Sequence, residues 1–286
     1  MLVLAMSSGC TLGAKKLPSH FFMFKNRDLV YEDFRSHLIF DDRIFAVQGV
    51  DISSGSASGV SIGINNSGLS VCSSTVLVNN NSPYDILLEQ LLREADTIEQ
   101  GTEIVGQELE SGKRFQWCNI LIGSLNEVGV IEIGDDDFYL EIDENYIVRA
   151  NHHLKLATSE AILGASDQER EAAGPLADSQ HRRQQASKMV AGAKALQDFI
   201  SIVSTHSPSR GFDSICRHRD APVKSGSFLG ETSYSYIIEV FQPAIDALDI
   251  KFHVTRKNPC SNPFRQIDVD FGLSHSDKQA VVASFP

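Results

Sequence analysis

The chain has 286 residues, 42% of them hydrophobic and 22% charged, with a formal net charge of −12. That is enough apolar material for a sizeable core, and the acidic balance argues against nucleic-acid binding or docking on anionic membranes, both of which need a basic face. The five cysteines are odd in number and include no CxxC pair, which argues against a disulfide framework or a structural zinc site and suits a reducing, cytoplasmic setting.

Residues 1–9 read as a short leader. Small residues before Cys10 resemble a lipoprotein signal, but only nine residues precede it and none is basic, whereas export signals carry a basic region and run to about 15–30 residues. No apolar run approaches the ~20 residues of a membrane helix. The run His20–Phe24 ends in Lys25-Asn26-Arg27-Asp28 and predicts a buried strand entering a turn or a site edge. If a strand over 10–14 pairs with it, these charges fall near Cys10. Strands are predicted over 43–50 and 58–64, then a hairpin at Gly63-Ile64-Asn65-Asn66-Ser67-Gly68-Leu69 and a strand over Ser70–Val78.

Ser82-Pro83 predicts a helix start, with Ser as the cap and Pro in the first turn. Ile86, Leu87, Gln90, Leu91 and Glu94 form its stripe, and a second helix runs from Thr97 to Leu109. Four strands follow, over 115–122, 127–133, 137–143 and 145–150. Residues 165–188 read as an exposed polar helix. Met189, Ala193, Leu196, Ile200 and Val203 recur at spacings of 4, 3, 4 and 3, which predicts an amphipathic helix. Strands over 232–240 and 250–255 close the chain. With no βαβ alternation, the order predicts an α+β layered domain, single over 10–286 with no internal repeat or linker.

No P-loop, GxGxxG or HExxH occurs. His152 and His153 are adjacent, so on a strand they point to opposite faces and do not share a metal easily. No metal or cofactor is expected. Cys10 remains as the candidate nucleophile: Gly9 leaves the preceding carbonyl unhindered, and a nearby cation would lower the thiol pKa. A buried structural cysteine is the alternative.

The ordered segments Gly9-Cys10-Thr11, Lys25-Asn26-Arg27-Asp28, Gly63–Leu69, Ala150-Asn151-His152-His153, Ser214-Ile215-Cys216-Arg217-His218 and Asn258-Pro259-Cys260 resemble the acyl-coenzyme A:6-aminopenicillanic acid acyltransferase family. That is the C45 peptidase family, related to choloylglycine hydrolases and penicillin V acylases. The resemblance spans Cys10 to about Phe264 and implies a four-layer αββα sandwich of the N-terminal nucleophile (Ntn) hydrolase type. It implies self-cleavage between Gly9 and Cys10, after which the freed α-amine of Cys10 acts as base for its own thiol. It implies that Asp28 contacts the nucleophile and assists self-cleavage, that Asn151 and Asn65 help form the oxyanion hole, and that Arg217 lies close to Cys10. Lys25 stands where choloylglycine relatives carry arginine; one point charge replaces a bidentate fork, so the resemblance does not by itself imply the steroid-amide specificity of that branch.

The expected activity is cleavage or transfer of the acyl group of a small linear amide through a Cys10 thioester. The expected partner is a small-molecule amide or acyl donor, an acyl-CoA among them, with homo-oligomerisation an open option. Two rivals stand beside it: an Ntn-like cyclohydrolase that never cuts itself, and a non-catalytic binding protein with Cys10 structural or lipidated.

Overall fold

The computed structural model describes residues 8–31, 34–51, 54–156, 175–220, 230–244 and 247–286. The strands are β1 (Ser8–Lys16), β2 (His20–Leu29), β3 (Leu38–Phe40), β4 (Ile44–Val50), β5 (Ala57–Asn65), β6 (Ser70–Leu77), β7 (Trp117–Gly123), β8 (Val128–Gly134), β9 (Asp137–Asp143), β10 (Tyr146–Arg149), β11 (Glu231–Ala244), β12 (Ala247–Arg256) and β13 (Arg265–Asp268). The helices are α1 (Asp85–Glu94), α2 (Ile98–Glu110), α3 (Pro175–Gly192), α4 (Leu196–Val203) and α5 (His275–Ala283). Among the described residues, one six-stranded sheet runs β10-β1-β2-β11-β12-β13 and one seven-stranded sheet runs β3-β4-β5-β6-β7-β8-β9. Every pairing within them is antiparallel.

The layering follows from strands that are apolar on both faces. Phe21 and Met23 of β2 enter the layer between the sheets with Leu12 of β1, Phe45 of β4, Ile62 of β5 and Leu121 of β7. Their neighbours Phe22 and Phe24 point the other way, onto Ala186, Val190, Phe199 and Ile202 of α3 and α4. On the second sheet, Ala46, Val60, Val71, Ile120 and Ile131 face Leu88, Leu91 and Leu92 of α1 and Val105 of α2. Period-two alternation with both faces covered explains why β2 reads as an unbroken apolar run. The result is the expected α+β sandwich in the order helix, sheet, sheet, helix. Among the described residues no helix is long and apolar enough to cross a membrane.

Several sequence expectations shift. Ser82 does not cap α1, which starts at Asp85 after Tyr84 with no side-chain cap. Instead Ser82 forms a parallel bridge with Phe115, and backbone pairing outcompetes the cap there. Ile86 is exposed, and the buried stripe is Leu87, Leu88, Leu91 and Leu92. The helix expected through 189–203 is two helices, broken after Gly192. Lys15 of β1 caps the end of the first, donating to the carbonyls of Val190 and Ala191 at 2.8 and 2.7 Å. Asp198 then starts the second by accepting the amides of Lys194 and Ala195. Residues 165–174 of the expected polar helix lie outside the described residues. The rest is not exposed throughout: Ser179, Arg182 and Ala186 are buried completely.

The start of α1 presses on the second sheet at Gly59, whose φ is +45° and whose position leaves an added Cβ 2.0 Å from the Asp85 carbonyl oxygen. Gly59→Ala combines a left-handed conformation with a backbone overlap. It is expected to lower the unfolding free energy by roughly 3 kcal/mol, read as a lower urea midpoint at unchanged slope.

Candidate active site

Cys10 lies in β1, buried, with its side chain in the layer between the sheets. The β1–β2 register sets its neighbours: Gly9 opposes Asp28, Cys10 opposes Arg27, and Leu12 opposes Lys25. Opposed residues share a face, so Arg27 and Lys25 lie on the side of the thiol, and Asp28 lies on the other side with Gly9. The charged cluster read from the sequence is therefore split by the pleat.

On the thiol side, Lys25 is 2% exposed. Its Nζ donates to the Ser61 carbonyl at 3.1 Å, Ser61 Oγ at 2.6 Å and Ser73 Oγ at 3.5 Å. Arg27 donates to the Gln48 carbonyl at 3.2 Å and lies over the ring of Phe34 at 4.9 Å. Burial pushes the Cys10 thiol pKa up, while Lys25 and Arg27 pull it down and Asp28 opposes them. Burial likewise pushes Lys25 down and raises Asp85 to about 7. A thiol raised by desolvation is protonated near neutral pH, so its use as a nucleophile demands a base.

On the other side, Asp28 accepts from Thr232 Oγ1 at 2.7 Å. Desolvation raises its pKa to about 6 against the pull of Arg182 and Arg217. Both guanidinium groups sit over Phe212, at 4.8 and 4.9 Å. The Gly9 position is closed to any side chain, since a Cβ would come 2.9 Å from Asp28 Oδ2 and 3.1 Å from Phe212.

Asn151 follows the end of β10. The β1–β10 ladder stops at Leu12 opposite Arg149, and beyond it the Asn151 side chain takes over. Its Oδ1 accepts the backbone N–H of Cys10 at 3.0 Å and Arg182 Nη2 at 2.8 Å. Its Nδ2 donates to the Thr75 carbonyl at 2.7 Å, and its backbone N–H donates to Ser179 Oγ at 2.8 Å. Arg182 Nη1 donates to the Cys10 carbonyl at 2.8 Å and contacts Thr11 Oγ1 at 3.2 Å. The segment carrying Asn151 is anchored by the buried Glu132 of β8, which meets Arg149 and accepts the amides of Leu154, Lys155 and Leu156.

Of the residues singled out in the sequence, Gly9, Cys10, Lys25, Asp28, Asn151 and Arg217 gather here. Asn65 does not. It sits on the far face of the second sheet, where its Nδ2 donates to the carbonyls of Leu92 and Ala95 and its Oδ1 accepts from Ser67 and Leu69. It closes the hairpin and ends α1. His152 meets Ser179, and burial with Arg183 nearby lowers its pKa to about 3. His153 meets the Cys118 carbonyl and stacks on Trp117. Sequence reasoning missed Arg182 and Glu132 and left Arg27 undecided. The spacing Ser179, Arg182, Ala186, Val190 would have marked one buried face of α3.

The layered fold is that of the Ntn hydrolases. No protein-family model matches the sequence, and no curated protein matches it. Solved structures do. A variant of conjugated bile acid hydrolase from Clostridium perfringens aligns with TM-score 0.52 and 11% identity, over 93% of this chain and 98% of its own. A second variant of that protein aligns with TM-score 0.51 and 10% identity, over 92% and 98%. Penicillin V acylase from Agrobacterium tumefaciens aligns with TM-score 0.54 and 9% identity, over 91% and 86%.

Asp28 links this site to stability. Its carboxyl ionises near the ordinary 3.8 in the unfolded chain and near about 6 in the fold. The native state therefore holds the extra proton between those values, and the stability that this confers is complete below the lower value and lost as pH rises through the higher. Stability of the wild type relative to Asp28→Asn is expected to fall between about pH 4 and 6, measured as urea midpoints across that range.

Proposed function

We propose that the chain is an amide-cleaving enzyme with the Cys10 thiol as nucleophile, made as a precursor with residues 1–9 as leader and 10–286 as the mature domain. The observation that carries this reading is the grip on the Cys10 nitrogen. A structural cysteine in a strand needs only its ladder partner. Here a buried asparagine oxygen holds the nitrogen at 3.0 Å and a buried guanidinium holds the carbonyl of the same residue. Once the Gly9–Cys10 bond is cut, that nitrogen is an α-amine of pKa about 7.7–8.0, positioned beside a thiol that lacks a base.

Activation follows the same chemistry. The sulfur adds to the Gly9 carbonyl carbon, the thiol proton passes to the Cys10 nitrogen, and the C–N bond breaks to leave a thioester. Water then adds to the thioester, releasing the leader as a carboxylic acid and restoring the thiol. Asp28, opposite Gly9 with its carboxyl against that residue, restrains the scissile segment while the thiol proton serves the departing nitrogen. In turnover a substrate acyl group occupies the place that Ser8 and Gly9 leave. The α-amine takes the thiol proton and gives it to the leaving amine, and water or a second amine accepts the acyl group. Lys25 and Arg27 stabilise the thiolate. Asn151 holds the amine through Oδ1 and offers its second Nδ2 hydrogen to the tetrahedral oxygen, the first being committed to Thr75. The names of the proteins that share this fold, a bile acid hydrolase and a penicillin acylase, support an amide as substrate.

Intact mass of the wild type is expected to show a chain beginning at Cys10, and Cys10→Ala a folded, full-length and inactive one. A wild type that stays uncut, or turnover by Cys10→Ala, overturns the reading in favour of an uncut cyclohydrolase-like or binding protein. Asn151→Ala is expected to fold and to lose about 10²-fold in kcat; an unchanged kcat removes it from the site.

A further inference from the structure

Away from Cys10, the fold assembles a second cluster that the proposed chemistry does not use. His206 and the Cys216-Arg217-His218 run lie on the segment that follows α4, and Cys260 lies in the turn between β12 and β13. The Cys260 sulfur is 3.2 Å from His218 Nε2, and the Cys216 sulfur is 3.9 Å from the same nitrogen. The Cys216 sulfur also accepts from Asn258 Nδ2 at 3.7 Å. Donor atoms of His206, His218 and Cys260 all lie within 4.8 Å of one another. The two imidazoles meet edge to face, with centroids 5.5 Å apart and planes at 86°. His206 has its Nδ1 against the Ser207 carbonyl at 3.3 Å, which leaves Nε2 as the lone-pair nitrogen.

We propose that His206, His218 and Cys260, whose donor atoms already converge, bind Zn²⁺ and that Cys216, 3.9 Å from His218 Nε2, closes in as the fourth ligand of a tetrahedral site. With metal–sulfur bonds of about 2.3 Å and metal–nitrogen bonds of about 2.0–2.1 Å, the sulfur–nitrogen edges of a tetrahedron are about 3.6 Å. The two observed separations straddle that length. Two thiolates and two imidazoles are a set that favours zinc over harder cations. On binding, each thiol loses its proton, so two protons leave for one Zn²⁺ taken up. The neutral cluster carries the same ligands with the thiols protonated.

The site has a structural consequence. Cys216 and His218 flank Arg217, whose guanidinium faces the opposite way, over Phe212 and beside Asp28. The Arg217 backbone is tied to Thr232 in both directions, and Asn258, two residues before Cys260, donates to its carbonyl. A metal bridging 206, 216, 218 and 260 cross-links the Arg217 segment to the β12–β13 turn and holds that arginine beside the carboxyl. Sequence spacing hid this set, because no two of its cysteines stand close along the chain.

The test uses the full chain, reduced and stripped with a chelator, then titrated with Zn²⁺ against a competing chromophoric chelator. One zinc per chain is expected. Co²⁺ is expected to give the intense visible bands of a tetrahedral ion together with thiolate-to-metal charge transfer. Cys260→Ser, at an exposed position, and His206→Ala are each expected to weaken zinc by about 100-fold or more, at or beyond the upper end of what losing an outer partner of a metal site costs. Circular dichroism of the variants shows whether they remain folded. Failure of the reduced wild type to retain zinc overturns the proposal, as does equal retention by Cys260→Ser. A Cys216–Cys260 disulfide in the protein isolated without reductant, with no zinc uptake after reduction, assigns the pair to redox chemistry and overturns it too. None of these readouts depends on catalysis or on cutting at Cys10.

Discussion

The buried guanidinium of Arg182 ties the first sheet to its helices around Cys10. It spans the Cys10 carbonyl, the Thr11 hydroxyl and the Asn151 amide oxygen, and it is fully enclosed. Burial lowers its pKa. Asp28, Cys10, Asp178 and Asp213 supply the opposing field, as a buried charge requires. The cation in turn restrains Asp28, so the two groups are set by each other. Removing either would leave the other charge enclosed with fewer opposing partners.

The strand pleat then distributes the remaining charges. Lys25 and Arg27 fall on the side of the thiol, and Asp28 with Asn26 on the side of the helices. Asn26 uses that side to receive the ends of two segments, donating to the carbonyls of Val203 and Ile215 at 2.8 Å each. One strand therefore presents cations to a sulfur on one face and an acid to the peptide bond before it on the other. Residues 25–28 of a single strand thus place cations and a carboxyl on opposite faces, because alternation separates groups that would otherwise neutralise one another.

Asn151 depends on a second enclosed ion pair. Arg149 and Glu132 are buried together, with side chains 3% and 0% exposed, and Glu132 also gathers three successive amides after the asparagine. These donors occupy the carboxylate oxygens and give the loop one geometry. The hydroxyl of Ser74 and the amide of Asn119 both bind the Ala150 carbonyl, so the residue before Asn151 is held from the second sheet as well. The asparagine reaches Cys10 from a segment fixed by both sheets.

The amino-acid order by itself determined the alternation that puts Phe21 and Met23 on one face and Phe22 and Phe24 on the other, the hairpin at Asn65–Leu69, and the two helices that lean on the second sheet. These are local properties of spacing and of turn residues. Through a family resemblance it also pointed to Cys10, Lys25, Asp28, Asn65, Asn151 and Arg217 as an ordered set. Only the tertiary structure decided that Asn65 closes a hairpin rather than facing the thiol, that Lys25 and Asp28 stand on opposite sides of their strand relative to Cys10, and that Arg182, on a polar helix face, is enclosed. The reason is physical. Burial and charge pairing depend on what another segment brings, and the partners of Arg182 and Asn151 come from residues 141 or more positions away in the chain for Cys10 and 76 for Thr75, a separation that no local pattern encodes.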